Sequence, residues 1–237
     1  MSSRAPSLTV VVVVVVVVGW TTLVEAIAQP PAAEGAESAA IGQLAGDIER
    51  GRARSAELYC SVCHGPVGVS ETPEWPTLAA QVSRYLARQL HLFRVRERAS
   101  PEMEPIAASL SDRDIADLAV FYAAQQPPAV SGASSCAPAA DRLYRHGDKA
   151  RGIEPCAECH GPTGAGRDAD GQPALRAQQA IYTAKQLEAY AAQRRYRGQR
   201  DLGQEAPGAD AMRATAHKLT REEIEALASC LQRPRDR

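Results

Sequence analysis

Two short segments, Cys60-Ser61-Val62-Cys63-His64 and Cys156-Ala157-Glu158-Cys159-His160, share one pattern of two cysteines and a histidine. The pattern Cys-x-x-Cys-His is typical of the attachment site of a c-type haem. Two thiols at this spacing can reach the two vinyl groups of one porphyrin, while the adjacent imidazole lies against the iron. The sequence therefore predicts two covalently bound haem c groups. The predicted attachment residues are Cys60, Cys63, Cys156 and Cys159, and the predicted proximal iron ligands are His64 and His160.

Two other uses of paired cysteines fit less well. A structural zinc site needs four ligands, commonly from a second Cys or His pair at short spacing, and neither motif has such a pair nearby. A thioredoxin-like redox pair needs a surrounding strand-helix-strand pattern, which the sequence lacks. Both motifs are followed by Gly-Pro-x-Gly, at 65–68 and at 161–164, so the similarity extends beyond the motif itself.

The motifs belong to an internal duplication that covers most of the chain. The two motif histidines lie 96 residues apart, and Tyr85 and Tyr182 lie 97 apart. The offset then rises to 109 between Met103 and Met212, so the second copy holds about a dozen extra residues around Arg194 to Asp210. The sequence therefore predicts two small equivalent domains in tandem.

Apart from the initiator, the chain has two methionines, Met103 and Met212, at equivalent places in the two copies. A thioether is a soft ligand that completes His/Met coordination of haem iron and raises its reduction potential. The alternative is that both methionines fill gaps in the core. Each follows a loop rich in Pro, Gly or charge, which is unusual for core, so we predict both as iron ligands. The remaining histidines, which have no counterpart in the other copy and are predicted to be ordinary, are His91, His146 and His217.

Helical periodicity appears in both copies and indicates an all-α fold. Ser111 with Asp114 resembles a capping box before an apolar stripe, and Thr220 with Glu223 resembles another. The stripes are Ile115, Leu118, Ala119 and Tyr122 in the first copy, and Ile224, Leu227, Ala228 and Leu231 in the second. No convincing period-two strand pattern is present.

The N-terminus has the layout of a signal peptide. Arg4 precedes an apolar run that includes Val10 to Val18, and Ala26-Ile27-Ala28 supplies a small-residue cleavage site. Cleavage after Ala28 would place the protein in the periplasm. The alternative is an uncleaved membrane anchor, because the 17 residues from Leu8 to Val24 approach the ~20 that span a bilayer.

Composition and sequence pattern set the predicted domains and exclude one class of partner. The formal net charge is -1, so no global basic field favours nucleic acid. The predicted organisation is a signal peptide at 1–28, a flexible lead-in at 29–46, a first cytochrome c domain at 47–128, a linker at 129–140 and a second cytochrome c domain at 141–237.

Together these motifs resemble the dihaem cytochrome c4 family, whose members have tandem class I cytochrome c domains. The resemblance covers roughly Gly46 to Gln232 and includes Pro-x-Leu-x-x-Gln at 76–81 and again at 173–178. It implies that the backbone carbonyls of Pro76 and Pro173 accept hydrogen bonds from the proximal imidazoles. Such a bond fixes the imidazole tautomer and raises ligand basicity.

The sequence departs from the family pattern at two pairs of residues. Ala80 and Ala177 stand where similar proteins often have glycine. Cys136 and Cys230 are additional cysteines, near the first and last helices of the second domain, and these helices usually cross in class I cytochromes. A disulfide between them is reasonable in an oxidising compartment, and two buried reduced thiols are the alternative.

The resemblance implies a one-electron carrier between respiratory donors and a terminal oxidase or reductase. Its expected partners are redox proteins such as a cytochrome bc complex, a terminal oxidase or a dehydrogenase, with possible membrane association. No paired carboxylates or nucleophile with a base indicate an enzyme, and two matched methionines argue against the open iron position of a dihaem peroxidase. The alternative is a haem-bearing electron-transfer subunit of a dehydrogenase or oxidase complex.

Overall fold

The computed structural model describes residues 44–127, 136–196 and 208–232. The predicted signal peptide, most of the predicted lead-in, most of the predicted linker and most of the extra residues of the second copy lie outside the described residues. Within the described ranges the chain forms ten α-helices, one short 3-10 helix and no strand beyond isolated bridges. None of these helices is long and apolar enough to cross a membrane.

The helices fall into two sets of five. The first set is α1 (Ile48–Glu57), α2 (Ser61–His64), α3 (Ser83–Arg94), α4 (Met103–Ala108) and α5 (Asp112–Ala123). The second set is α6 (Pro138–His146), α7 (Cys156–His160), α8 (Ala180–Ala191), α9 (Ala209–Ala216) and α10 (Arg221–Leu231), with the 3-10 helix at Lys149–Arg151. The helix α6 begins inside the segment predicted as the linker.

Both predicted capping boxes are present. Ser111 Oγ accepts from the Asp114 amide at 3.1 Å, and the Asp114 carboxylate accepts from the Ser111 amide at 2.9 Å. Thr220 and Glu223 make the same exchange at 3.2 and 2.9 Å. These caps start α5 and α10, whose predicted apolar stripes are buried in the cores of the two halves.

In the first half, α1 lies directly on α5. A side chain on Gly51 would collide with the Asp117 backbone, so the close approach requires glycine at that position. The residue Asp117 is 2% exposed. It accepts hydrogen bonds from the Asp47 amide at 2.6 Å and from Arg50 Nε at 2.7 Å, which ties the start of α1 to α5.

In the second half, a disulfide joins Cys136 to Cys230, with a Cα–Cα distance of 4.6 Å. Cys136 lies just before α6, and Cys230 lies in α10. The structure therefore contains the disulfide rather than the pair of reduced thiols. The two halves thus secure their first and last helices by different chemistry, an ion pair in one and a covalent bond in the other.

Two glutamines hold the halves together by reciprocal contacts. Gln81 donates to the Ala174 carbonyl at 2.9 Å and accepts from the Ala174 amide at 2.7 Å. Gln178 donates to the Thr77 carbonyl at 3.0 Å and accepts from the Thr77 amide at 2.8 Å. Gln178 lies 97 residues after Gln81, and Ala174 lies 97 residues after Thr77, which is the repeat offset. Because equivalent residues of the two halves exchange the same contacts, the interface is self-complementary, as in a two-fold dimer.

Candidate functional site

The interior contains a cavity of about 1090 Å³ that both halves line. It exceeds the ~300–1000 Å³ usual for a single small-ligand site. Its walls include all ten residues predicted to attach, ligate or support haem: Cys60, Cys63, His64, Pro76, Met103, Cys156, Cys159, His160, Pro173 and Met212. The structure thus brings the two predicted sites into one continuous space.

The motif cysteines and histidines lie on or beside two very short helices, α2 and α7. Each helix is followed by a glycine with positive φ, Gly65 at 77° and Gly161 at 79°, which turns the chain sharply after the histidine. Within the described residues the disulfide joins Cys136 to Cys230, and none of the four motif cysteines takes part in it. They are therefore available for thioether bonds.

Both motif histidines are oriented by a proline carbonyl. Nδ1 lies 2.9 Å from the Pro76 oxygen in His64 and 2.9 Å from the Pro173 oxygen in His160. A carbonyl can only accept, so Nδ1 carries the proton and Nε2 keeps its lone pair. Each imidazole is therefore held in the tautomer that suits a metal ligand, in the arrangement that the family resemblance implied.

Burial of these imidazoles favours their neutral form. His64 is 8% exposed and His160 is 5% exposed. Burial lowers the pKa of both side chains below 6.5, and the proline carbonyls oppose that shift only in part. A neutral imidazole is the form that binds iron.

The two methionines reach the cavity from different local settings. Met103 is the first residue of α4, and its amide lies 3.2 Å from Ser100 Oγ. Met212 lies inside α9, which Gly208 precedes at a φ of 85°. Both are half-buried and line the cavity. Their ligation of iron stays a prediction.

The other histidines lie away from this space. Neither His146 nor His217 lines the cavity, and both are exposed. His91 is fully buried, does not line the cavity either, and its Nδ1 lies 3.3 Å from Arg94 Nη2.

Ala80 and Ala177 adopt left-handed backbone conformations, with φ of 57° and 59°. This geometry costs a residue with a side chain roughly 1–2 kcal/mol, which explains why glycine is common there in similar proteins. The amide of Ala80 donates to the Tyr122 carbonyl at 3.1 Å, and that of Ala177 donates to the Leu231 carbonyl at 2.9 Å. This backbone conformation positions Gln81 and Gln178, which directly follow the two alanines, for their contacts with the opposite half.

Two arginines in the cavity wall were missed by the sequence analysis. Arg98 is 7% exposed and Arg195 is 6% exposed, and both line the cavity. Each guanidinium lies over an aromatic ring of its own half, Phe93 at 4.4 Å and Tyr190 at 4.9 Å from the ring centroid. The repeat offset of 97 relates the two arginines, and that pairing is the signal that could have found them.

The residues of the cavity fit a pair of haems. Each half supplies two thiols for covalent attachment, one neutral imidazole and one thioether, and the wall adds two buried cations. When bound, haem supplies an iron centre that gains or loses one electron.

Comparison with known proteins decides the family. The Cytochrome c family model matches residues 147–233, which lie in the second half of the chain. Cytochrome c4 of Stutzerimonas stutzeri is 34% identical over 201 residues, which is 81% of this chain and 91% of that protein. The chain belongs to the cytochrome c4 family.

Structural similarity agrees with membership of the cytochrome c4 family. The crystal structure of reduced recombinant cytochrome c4 from Pseudomonas stutzeri matches with a TM-score of 0.69 at 33% identity, over 81% of this chain and all of that one (100%). A thiosulfate dehydrogenase electron acceptor of Stutzerimonas stutzeri (strain A1501) is 37% identical over 145 residues, 60% of this chain and 67% of that protein.

Membership confirms three predictions from the sequence. The chain is an all-α protein of two tandem class I cytochrome c domains. It carries two covalently bound haem c groups. It is a member of this family that acts in electron transport.

Proposed function

We propose that the chain is an exported carrier that takes electrons singly from respiratory donors and passes them to a terminal oxidase or reductase. The observation that carries this proposal is the pair of matched ligand sets in one cavity. In each half a carbonyl-oriented neutral imidazole and a methionine line the same space.

The chain's residues favour electron transfer over catalysis. The Pro76 and Pro173 carbonyls fix both imidazoles, and both histidines are buried. If Met103 and Met212 also held the irons, no position would be left open for a substrate. An arrangement that changes little between oxidation states suits a carrier.

The surfaces beside the two motifs support distinct donor and acceptor proteins. Beside the first motif, Tyr59 and Val62 are each 74% exposed. The residues at the equivalent positions of the second motif are Pro155 and Glu158. One surface is therefore apolar and the other carries a negative charge, which suits transient contacts with two different partners. The signal-like N-terminus supports a periplasmic location.

A second candidate is an electron-transfer subunit that stays bound to an enzyme. The similarity to a thiosulfate dehydrogenase electron acceptor favours it. Purification in a stable stoichiometric complex would support the subunit, and a separate holoprotein that several partners reduce and oxidise would support the carrier.

The axial ligands are tested by Met103→Ala and Met212→Ala in the purified holoprotein. Methionine ligation gives ferric haem a weak long-wavelength absorption band, and we expect the wild type to show it for both haems. Each variant should lose about half of that band, gain high-spin signal and bind peroxide, because one iron then has an open position.

The matched control is His217→Ala, which changes an exposed histidine outside the cavity. This variant should keep the full band. An undiminished band in either methionine variant would show that the methionine is not a ligand. A high-spin signal in the wild type would contradict the carrier.

A further inference from the structure

A buried pair of hydroxyl groups lies behind the first haem-attachment motif. Ser55 Oγ and Tyr122 Oη are 2.6 Å apart, and the two residues are 6% and 4% exposed. Ser55 lies in α1 and Tyr122 lies in α5, so the hydroxyl pair forms where these two helices pack together. Tyr122 also lines the cavity, which places the hydroxyl pair at the edge of the first haem site.

Both hydroxyls contact the sulfur of Cys60, a predicted attachment atom of the first haem. The Cys60 amide donates to the Ser55 carbonyl at 3.1 Å, and Cys60 packs against the apolar cluster that contains Tyr122. Burial raises the pKa of the Cys60 thiol, and hydrogen bonds from Ser55 and Tyr122 oppose that rise. The sulfur of Cys60 is therefore an acceptor for the hydroxyl pair.

The hydroxyl pair holds one proton more than it uses internally. Each hydroxyl carries one proton, and a single hydrogen bond joins the two oxygen atoms. The second proton needs another acceptor, because a buried donor without a partner is costly. Among the described residues, the further side-chain partner of both hydroxyls is Cys60. A thioether sulfur is still a weak acceptor, so the hydrogen bond can persist after haem is attached.

The ring of Tyr122 is held by contacts that do not involve its hydroxyl. A Cβ atom on Gly68 would lie 2.6 Å from Tyr122 Cδ1, so the ring packs closely on the glycine that follows the first motif. The ring centroid of Phe121 lies 4.8 Å away, and the Tyr122 carbonyl accepts from the Ala80 amide at 3.1 Å. The hydroxyl can therefore be removed while the ring keeps its place.

The second half has different residues at the equivalent positions. Arg151 lies 96 residues after Ser55, and Leu231 lies 109 residues after Tyr122, which are the offsets of the repeat. Leu231 has no polar group in its side chain, and Arg151 donates to the Glu223 carboxylate at 2.6 and 2.8 Å. The duplication therefore does not repeat the hydroxyl pair at these positions.

We infer that the hydroxyl pair of Ser55 and Tyr122 donates a hydrogen bond to the thioether sulfur of Cys60 and thereby raises the electron affinity of the first haem. A donor at this sulfur draws electron density away from the porphyrin, which favours the reduced iron. The two residues act through Cys60, so they are positioning residues and not iron ligands. The inference rests on the proposed function, because it concerns the potential of one of its two electron-carrying centres.

The test compares the double variant Ser55→Ala with Tyr122→Phe and the two single variants, each as holoprotein. A redox titration followed by proton nuclear magnetic resonance reports the two haems separately, through the methyl signals of each. The double variant should lose one-electron affinity severalfold at the first haem and keep the wild-type affinity at the second. Each single variant should lose a smaller share, because the remaining hydroxyl still reaches the sulfur but lacks the neighbour that polarises it.

The matched control is Ser109→Ala, which removes an exposed hydroxyl of the first half. Ser109 donates to the Ile106 carbonyl at 2.8 Å and does not line the cavity, so both haem potentials should match the wild type. An unchanged first-haem affinity in the double variant would overturn the inference, and so would an equal loss at both haems.

If the double variant binds fewer than two haems, the nearly isosteric Tyr122→Phe decides, and a wild-type affinity at its first haem would overturn the inference. The proposed function fails by a different result, since a wild type without two one-electron steps would contradict it.

Discussion

Asp117 is a buried carboxylate whose charge stabilises the first half. Burial alone raises its pKa, but the bonds from Arg50 and the Asp47 amide outweigh burial and hold the pKa below 3.8. A lowered folded-state pKa means that the stabilisation is complete above pH 3.8 and is lost as the pH falls through the lower folded value.

We therefore expect Asp117→Asn to lower the free energy of unfolding at neutral pH. The expected loss is about 1.5–3 kcal/mol, the contribution of a hydrogen bond to a charged group. Denaturant titration of the holoprotein, followed by far-ultraviolet circular dichroism, measures it. The difference from the wild type should narrow below pH 3.8, where the wild-type carboxylate also becomes neutral.

The control is Asp141→Asn. Asp141 pairs with Arg145 within α6, and both side chains are more than a third exposed, at 37% and 35%. It should change stability by less than about 1 kcal/mol. A difference between Asp117→Asn and the wild type that stays constant at all pH values would contradict the assigned role of the charge.

At the scale of single residues, the sequence predicted the groups that a local motif defines. The cysteines and histidines of the motifs and the proline carbonyls behind the imidazoles lie where the pattern and the resemblance place them in the cavity wall. Arg98 and Arg195 were not predicted, because an arginine in a sequence is expected at the surface. Their burial arises only when the two halves pack against each other.

At the scale of helices, periodicity and capping were sufficient for the longer elements. The capping boxes of α5 and α10 and their buried stripes follow from local sequence. The start of α6 at Pro138 was harder to predict, because it follows a segment rich in small residues and proline. Helices of four or five residues, such as α2 and α7, are too short to show periodicity.

The disulfide between the segment before α6 and α10 is the strongest tie between elements of the second half. It closes a loop across 94 residues of sequence. We expect the double variant Cys136→Ala with Cys230→Ala to lose about 2–4 kcal/mol of unfolding free energy, because the unfolded chain gains entropy. Denaturant titration of the holoprotein measures this loss.

Reductant provides the control for the disulfide. With both haem irons reduced beforehand in each protein, cleavage of the disulfide should destabilise the wild type and leave the double variant unchanged, since thioether bonds to haem are not reducible under these conditions. Equal stability of the ferrous wild type with its disulfide intact and with its disulfide cleaved would contradict a structural role for this bond.

At the scale of the whole molecule, the duplication predicted two equivalent domains but not how they face each other. The relative orientation of the two domains depends on Gln81 and Gln178, whose side-chain amides form hydrogen bonds with backbone groups of the opposite half. No local pattern encodes such contacts, which join residues 93 and 101 positions apart. The result is one cavity with two ligand sets, and the account depends on that arrangement.

The most direct test is a coulometric redox titration of the wild-type holoprotein, together with a haem assay. The account predicts two haems per chain, two successive one-electron steps, and an oxidised spectrum that peroxide does not change. One haem per chain, a single electron in total, or a spectral response to peroxide would contradict it.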